Sequence, residues 1–379
     1  MTDLTIFYNT TGFAYFELSN IIMILISLVI LYIGFQKRSE SIALIPIGFG
    51  MLFANIPGIS NVMQDIYSDF SILNYFNAGL TSGIYPALIL LGIGAMTDFS
   101  SIIANPKMLV IGFAVQIAIF TTFVCALLFG FSSYDSAAIG MLSSVNIPVA
   151  IFLTLKMSPD LVIMIGITIY LLNALIPILQ PPIIKLLTTP KERVIQMEPL
   201  RVVSQREKMI YPIMGFIVSS LIAPGCAIML GMFFLGNLLR ECGMVKQLVI
   251  TARTTMLDIC TILIGLCLGG MASGVVVLNK ESLFVLLLGI VAFMIATASG
   301  IISAKFMNFF ITKKINPILG AAGISAIPNS SKLVDEIGQA NNTDLKEHSM
   351  APGVAGVIGS TVVAGVIMGL MGGYLIITM

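Results

Sequence analysis

Residues 108–131, MLVIGFAVQIAIFTTFVCALLFGF, contain no charged side chain, and neither does LFVLLLGIVAFMIATASGIISA at 283–304. A helix needs about 20 apolar residues to cross the hydrocarbon core of a bilayer, and both runs are long enough. Nothing in the chain constrains its fold more. In lipid every backbone N–H and C=O must find a partner within the protein, which leaves helices and closed barrels as the spanning structures. Further full-length runs lie at 20–36, 160–180, 255–277 and 352–379, with shorter ones at 41–56, 84–97, 209–222 and 224–239. Only 10% of the 379 residues are charged and 58% are hydrophobic, whereas soluble domains are about a quarter charged. The expectation is an all-α polytopic membrane protein.

Several function classes are excluded early. A net charge of +1 argues against a nucleic-acid partner. The first apolar run starts near Asn20 without a basic leader, so it reads as a retained helix rather than a signal peptide. The five cysteines (Cys125, Cys226, Cys242, Cys260, Cys267) show no metal spacing and read as core thiols. The single histidine, His348, falls in a polar stretch read as a loop, which argues against a zinc site or a Ser-His-Asp triad. No P-loop and no GxGxxG between strand and helix is present. Energy for any transport would come from an ion gradient or a partner.

Two short segments break the apolar pattern. GMLSSVNIP (140–148) and GAAGISAIP (320–328) align at an offset of 180 residues, with Gly140 on Gly320, Ile147 on Ile327 and Pro148 on Pro328. Their glycines, serines and prolines suit helices that break inside the membrane, near 136–155 and 316–334. Such backbone is tolerated only when buried in protein or lining a cavity. Basic residues orient the rest. Lys37 and Arg38 follow the first helix, and the stretch 181–208 carries Lys185, Lys191, Arg193, Arg201, Arg206 and Lys208 against three glutamates. Arg240, Lys246 and Arg253 mark a second inside loop, and Lys305, Lys313 and Lys314 a third. Threading the helices through these marks makes the first break enter and leave on the outer side and the second on the inner side. That is the pattern of an inverted-repeat bundle with two re-entrant segments, its ion site where the breaks meet. A weaker match, IIANPKML (102–109) on VVVLNKESL (275–283), supports the repeat. The expected organisation is a membrane repeat over 1–180, a cytoplasmic basic loop over 181–208 and a second repeat over 209–379.

At such a break, freed carbonyls and small polar side chains can replace the water shell of a hard cation such as sodium. The first break offers Ser143, Ser144 and Asn146; the second offers Asn316, Ser325, Asn329 and Ser330. A competing reading is that serine and glycine only let helices pack closely. Asp98 reads as an interfacial cap for the next helix, and Asp258 as a partner for Arg253. No carboxylate falls inside either break, and Lys332 is the candidate charged group near the pathway.

Seven stretches together resemble the membrane-embedded beta subunit of the sodium-translocating, biotin-dependent decarboxylases, the family serving oxaloacetate, methylmalonyl-CoA, glutaconyl-CoA and malonate. They are PIGFGMLFANIPG (46–58), GIGAMTDFSSIIANPK (92–107), PILQPPI (177–183), VSQREK (203–208), LGNLLRECG (235–243), KINPILGAAGISAIP (314–328) and APGVAGVIGS (351–360). The resemblance implies that carboxybiotin, formed by a carboxyltransferase alpha subunit and delivered on a biotin carrier protein, is decarboxylated here. That reaction would drive sodium outward and consume a proton from outside. It also implies a small gamma or delta membrane subunit, oligomeric assembly and the inner membrane of a prokaryotic cell. Biotin would stay on the carrier, not on this chain.

Carried over residue by residue, the resemblance puts chemistry at Lys332 and Asn146. It puts ion binding at Asn146, Asn316, Gly320 and Ser325, with sodium at Asn146, Asn316 and Ser325; Ser143 and Ser144 join the ion-binding candidates as the oxygen groups of the first break. The chain also departs from the pattern. Where the family reads Gly-Gly-Ala-Asp-Gly-Pro-Thr, this chain reads Ser143 to Val149, so the acidic residue credited with sodium and proton is Asn146. The family's tyrosine before Pro-Ile-Leu-Gln-Pro-Pro falls on Leu172, and its arginine after the second motif on Lys332. Asparagine keeps an oxygen ligand but neither titrates nor lends charge. Two alternatives therefore stand beside a working beta subunit: an ion or solute carrier on the same scaffold, and an inactive assembly subunit.

The basic stretch 181–208 is expected in the cytoplasm. Protease added outside intact cells should leave it uncut and should cut it in inside-out vesicles; cleavage from outside reverses the topology.

Overall fold

The computed structural model describes residues 8–9, 11–36, 43–57 and 72–376; Lys37 and Arg38 lie outside them. No strand occurs among the described residues. The main helices are α1 (Leu18–Gln36), α2 (Leu44–Asn55), α3 (Ile72–Thr81), α4 (Ile84–Met96), α5 (Met108–Leu128, interrupted at Gln116), α6 (Ser133–Gly140) and α7 (Ile147–Met157). The second half holds α8 (Val162–Leu187), α9 (Gln205–Ile222), α10 (Ala227–Cys242), α11 (Lys246–Gly270), α12 (Lys280–Met307), α13 (Asn329–Ala340) and α14 (Lys346–Ile376). Among the described residues seven helices (α1, α5, α8, α10, α11, α12 and α14) are long and apolar enough to cross a membrane, and an eighth span results if the pair α3–α4, bent by 62°, counts as one. The all-α polytopic expectation holds. Faces left exposed are greasy, as on α5, where Val110, Ile117, Phe120 and Val124 point outward. Such faces suit lipid.

Four local readings change. α8 runs through Pro177, Pro181 and Pro182 to Leu187, beyond the expected end at 180. Proline removes a donor but keeps a helical φ, and neighbouring helices can satisfy the freed carbonyls. α11 starts at Lys246 rather than 255, because exposed Arg253 sits in a π-turn (Ala252–Met256) that continues the helix. His348 is not in a loop: α14 begins at Lys346, which leaves His348 only 6% exposed. Asp98 lies one residue before the N-cap of the next helix, Phe99, and accepts from the Ser100 N–H at 2.8 Å while pairing with Arg240 at 3.1 Å. Burial pushes its carboxyl pKa up, but the Ser100 hydrogen bonds and Arg240 outweigh this and hold it below the ordinary range. Asp258 forms no ion pair with Arg253.

Both suspected segments are broken, and both are buried. α6 ends at Gly140, a 3-10 turn covers Met141–Ser144, and α7 starts at Ile147. In the second half a 3-10 turn over Pro317–Gly323 gives way to extended backbone, and α13 starts at Asn329. Every residue from 136 to 146 and from 315 to 326 is buried. In each copy a half-helix starts at or just after the Ile-Pro pair, at Ile147-Pro148 and Ile327-Pro328.

The mouths of the two segments lie at opposite ends of α8. At one end the Ser158 hydroxyl donates to Asp135 Oδ1, tying the end of α7 to the start of α6. At the other end Asn316 Nδ2 donates to Arg193 O and Ile195 O, both at 3.0 Å, and Gln196 Nε2 donates to Asn342 O at 2.7 Å. The loop after α8 thus gathers both ends of the second segment. Between the two mouths run the 26 residues of α8, about 39 Å at 1.5 Å per residue. The tips meet between them, where the Ser325 N–H donates to Ser144 O at 3.0 Å. Close helix crossings hold this frame. A Cβ on Gly94 would overlap Phe233 O, and one on Gly236 would overlap Leu91 O, so α4 and α10 touch backbone to backbone only because both positions are glycine.

In a cysteine-free background, Ser133→Cys and Asp160→Cys should label from one face of the membrane, and Lys191→Cys and Gln339→Cys from the other. If Ser133→Cys and Asp160→Cys label from opposite faces, the first segment spans the membrane and re-entry fails.

Candidate functional site at the meeting of two broken helices

A cavity of about 350 Å³ opens where the tips meet. Val145 to Pro148 line it from the first break and Ser325 to Asn329 from the second. Tyr170 and Asn173 of α8 and Thr261 of α11 add polar groups, while Ile89, Ile93 and Leu257 supply apolar wall. Met96, at the end of α4 that leads to Asp98 and is met there by Arg240 of α10, also lines it and is 40% exposed, so the cavity wall reaches the surface at that end. No lining residue is ionisable to a charge near neutral pH.

Local geometry explains the first tip. The Ser143 and Ser144 hydroxyls donate back to Gly140 O and Met141 O, each at 2.8 Å, and so end the turn. Val145 then adopts φ +51°, a left-handed conformation costly for a β-branched residue, and the chain reverses into α7. Burial to 1% exposure holds Val145 there. Asn146 follows, 2% exposed. Its Nδ2 donates to Ser360 Oγ at 2.8 Å and to Thr361 Oγ1 at 3.4 Å.

The direction of these bonds follows from the helix beneath them. The Ser360 hydroxyl donates to Gly356 O at 2.8 Å, and the Thr361 hydroxyl to Val357 O at 2.6 Å. Each has spent its one proton and can only accept. The amide nitrogen of Asn146 must therefore face them, which turns its Oδ1 away, and no described protein group donates to that oxygen. By the same count the Ser325 hydroxyl is the donor in its 3.0 Å contact with Ser360 Oγ. Ser360 thus joins both breaks to α14.

The sequence candidates separate into two groups. Asn146 and Ser325 meet through Ser360 and line the cavity. Ser143 and Ser144 stand just behind the tip. Asn316 does not line the cavity: its side chain caps the Ile318 N–H at 3.1 Å and holds the loop at Arg193 and Ile195. Gly320 serves a helix crossing, since a Cβ there would overlap Gly300 O of α12. Lys332 is exposed on α13, one turn beyond Asn329, with Glu336 3.9 Å away. Five polar residues escaped the sequence reading: Tyr170, Asn173, Thr261, Ser360 and Thr361. Tyr170 and Asn173 are spaced i,i+3 on one face of α8, and Asn173 Oδ1 accepts from Asn329 Nδ2 at 3.2 Å. Leu172 lies against the backbone of Gly289, away from them. Ser360 and Thr361 were signalled as an adjacent polar pair in an otherwise apolar helix.

Comparison with known proteins adds one family. A family model described as the Na+-transporting oxaloacetate decarboxylase beta subunit matches residues 19–371. The methylmalonyl-CoA decarboxylase subunit beta of Propionigenium modestum is 43% identical, covering 97% of this chain and 98% of the relative. Its counterpart from Veillonella parvula is 40% identical over 96% of each chain. The oxaloacetate decarboxylase beta chain of Haemophilus ducreyi is 37% identical, covering 97% and 98%.

Ser360→Ala should destabilise the protein by about 1–3 kcal/mol, because it leaves Asn146 Nδ2 and the Ser325 hydroxyl without their acceptor. Thr361→Val removes a 3.4 Å contact to Asn146 and the bond back to Val357 O, a carbonyl that lies within α14 and keeps its helical partner, and should cost less. Thermal unfolding in detergent measures both, and equal costs would mean that Ser360 is not the node.

Proposed function

Since the chain belongs to the family of Na+-transporting oxaloacetate decarboxylase beta subunits, we propose that it decarboxylates carboxybiotin within a biotin-dependent complex and couples this to outward sodium movement. The observation that carries the reading is the cavity itself, formed where the two breaks hydrogen-bond tip to tip. Its wall reaches the surface near Arg240, beside the basic loops that the positive-inside rule assigns to the cytoplasm. A carboxylated headgroup on a carrier protein would enter from there. Its ureido ring would find the polar groups of Tyr170, Asn173 and Asn329 between apolar walls. Lys332, exposed one turn from Asn329, is the cation best placed to meet the carboxylate on its way in. Asn146 Oδ1 and Ser325 Oγ are the side-chain oxygens that a sodium ion would use. Asn316 and Gly320 act indirectly, by holding the second break in shape.

The same reading makes 1–180 and 209–379 two inverted repeats joined by the cytoplasmic stretch 181–208. Their pseudo-symmetry would place the sodium path along the seam between tips. A carboxyltransferase alpha subunit, a biotin carrier protein and a small gamma or delta subunit would complete the complex in a prokaryotic inner membrane. Which acid is consumed belongs to the soluble subunit. One observation favours a second reading: a cavity without charge could serve an ion or solute carrier that no longer decarboxylates.

Purified protein given free carboxybiotin, with and without sodium, separates the two. The decarboxylase reading expects carbon dioxide release that sodium accelerates, with Lys332→Gln reducing kcat/KM by about 10- to 100-fold, the scale of a lost charged hydrogen bond, and Lys332→Arg restoring it. No release under any sodium concentration leaves the carrier reading.

A further inference from the structure

A sodium ion in this cavity would meet no counter-charge from the protein. Nothing that lines it is anionic. Two half-helices, α7 and α13, also begin there, and neither N-terminus is capped by a side chain. Unpaired N–H groups and the helix dipole make both ends partially positive. These ends favour an anion and penalise a lone cation. Two buried polar groups on the cavity wall wait for a ligand. Asn146 is 2% exposed and its Oδ1 accepts from no described group; Tyr170 is 6% exposed and its hydroxyl has no described partner. An oxygen acceptor and a hydroxyl donor thus face one space, beside two helix N-termini.

We propose that sodium and the carboxylated headgroup occupy this cavity only together, the substrate carboxylate supplying the negative charge that Asn146 lacks. The inference rests on the decarboxylase reading. The carboxylate takes the helix N-termini and the Tyr170 hydroxyl, and sodium sits against it, ligated also by Asn146 Oδ1 and Ser325 Oγ. Decarboxylation then changes the charge of the site. The N–C bond to the carboxylate breaks, its electron pair stays on the ureido nitrogen, that nitrogen takes the proton the reaction consumes, and neutral carbon dioxide leaves. The site loses one negative charge, and sodium loses its counter-ion at that step. Coupling therefore needs no titrating side chain in the first break, which is how the chain can carry asparagine there.

Reciprocal linkage makes this measurable. The probe is biotin bearing an N-carboxymethyl group, a stable carboxylate mimic, with unmodified biotin as control. The readout is the sodium concentration that half-stabilises the purified full-length protein against heat. The mimic should tighten sodium binding by about 5- to 150-fold, the usual range of coupling between two sites, and biotin should not. Asn146→Asp should bind sodium tightly with no mimic present and should lose most of the linkage. Asn329→Asp, which puts a carboxylate elsewhere on the same wall, should do likewise if Asn146→Asp fails to fold. Equal sodium affinity with and without mimic overturns the proposal, as does full linkage surviving in both variants. Carbon dioxide release from carboxybiotin without linkage sinks this inference and leaves the decarboxylase reading standing. Failure of the mimic to bind at any sodium concentration, together with no release, sinks both.

Discussion

Backbone polar groups have no water to turn to inside a bilayer, and the architecture follows from that constraint. A helix that stops at the midplane exposes N–H and C=O groups that lipid cannot satisfy. This chain stops two helices within the protein and buries the residues of both breaks, 136–146 and 315–326. Each tip then supplies a partner for the other, as in the Ser325 N–H to Ser144 O bond. The surrounding spans serve this junction: α12 approaches through Gly300 against Gly320, and α14 through Gly356 against Gly323. Glycine at these crossings brings backbone close enough to wall off the breaks. The broken helices are costly on their own and stable only as a pair.

Hydrogen-bond direction decides the electrostatics at the junction. Ser360 and Thr361 spend their protons on the α14 backbone and so present only lone pairs to position 146. An amide satisfies them without reorganisation. A carboxylate would require both hydroxyls to turn from the backbone and donate outward. Asn146 is therefore matched to its neighbours as they stand. The apolar residues that follow, Ile147 and Val149, complete that environment: Val149 is fully buried in the core and Ile147 lines the cavity.

Much of the fold was legible because the signals were long and redundant. A charge-free run such as 108–131 admits one reading in lipid, and its ends lay close to the observed helix Met108–Leu128. The breaks were legible as glycine, serine and proline in the wrong place. The boundaries that slipped did so for local reasons, such as the π-turn that carries Arg253 inside α11. The site was only half legible. Asn146 and Ser325 advertise themselves as polar groups in apolar surroundings. Asn316 does so equally, yet it is a cap for a loop that lies far from it in sequence, at Arg193 and Ile195.

By itself the sequence determined the solvent, the helical class, the two breaks and the absence of a carboxylate between them, because each is a property of contiguous residues. Only the tertiary structure decided which polar groups share one space. Position 360 is 214 residues from Asn146, and no periodicity links them. Tyr170 rather than Leu172 faces the cavity because α8 turns about 100° per residue, so residues two apart face nearly opposite ways, and packing chose the face. The same holds for proton direction at Ser360, which depends on a helix carbonyl four residues away and on two breaks that meet only after folding.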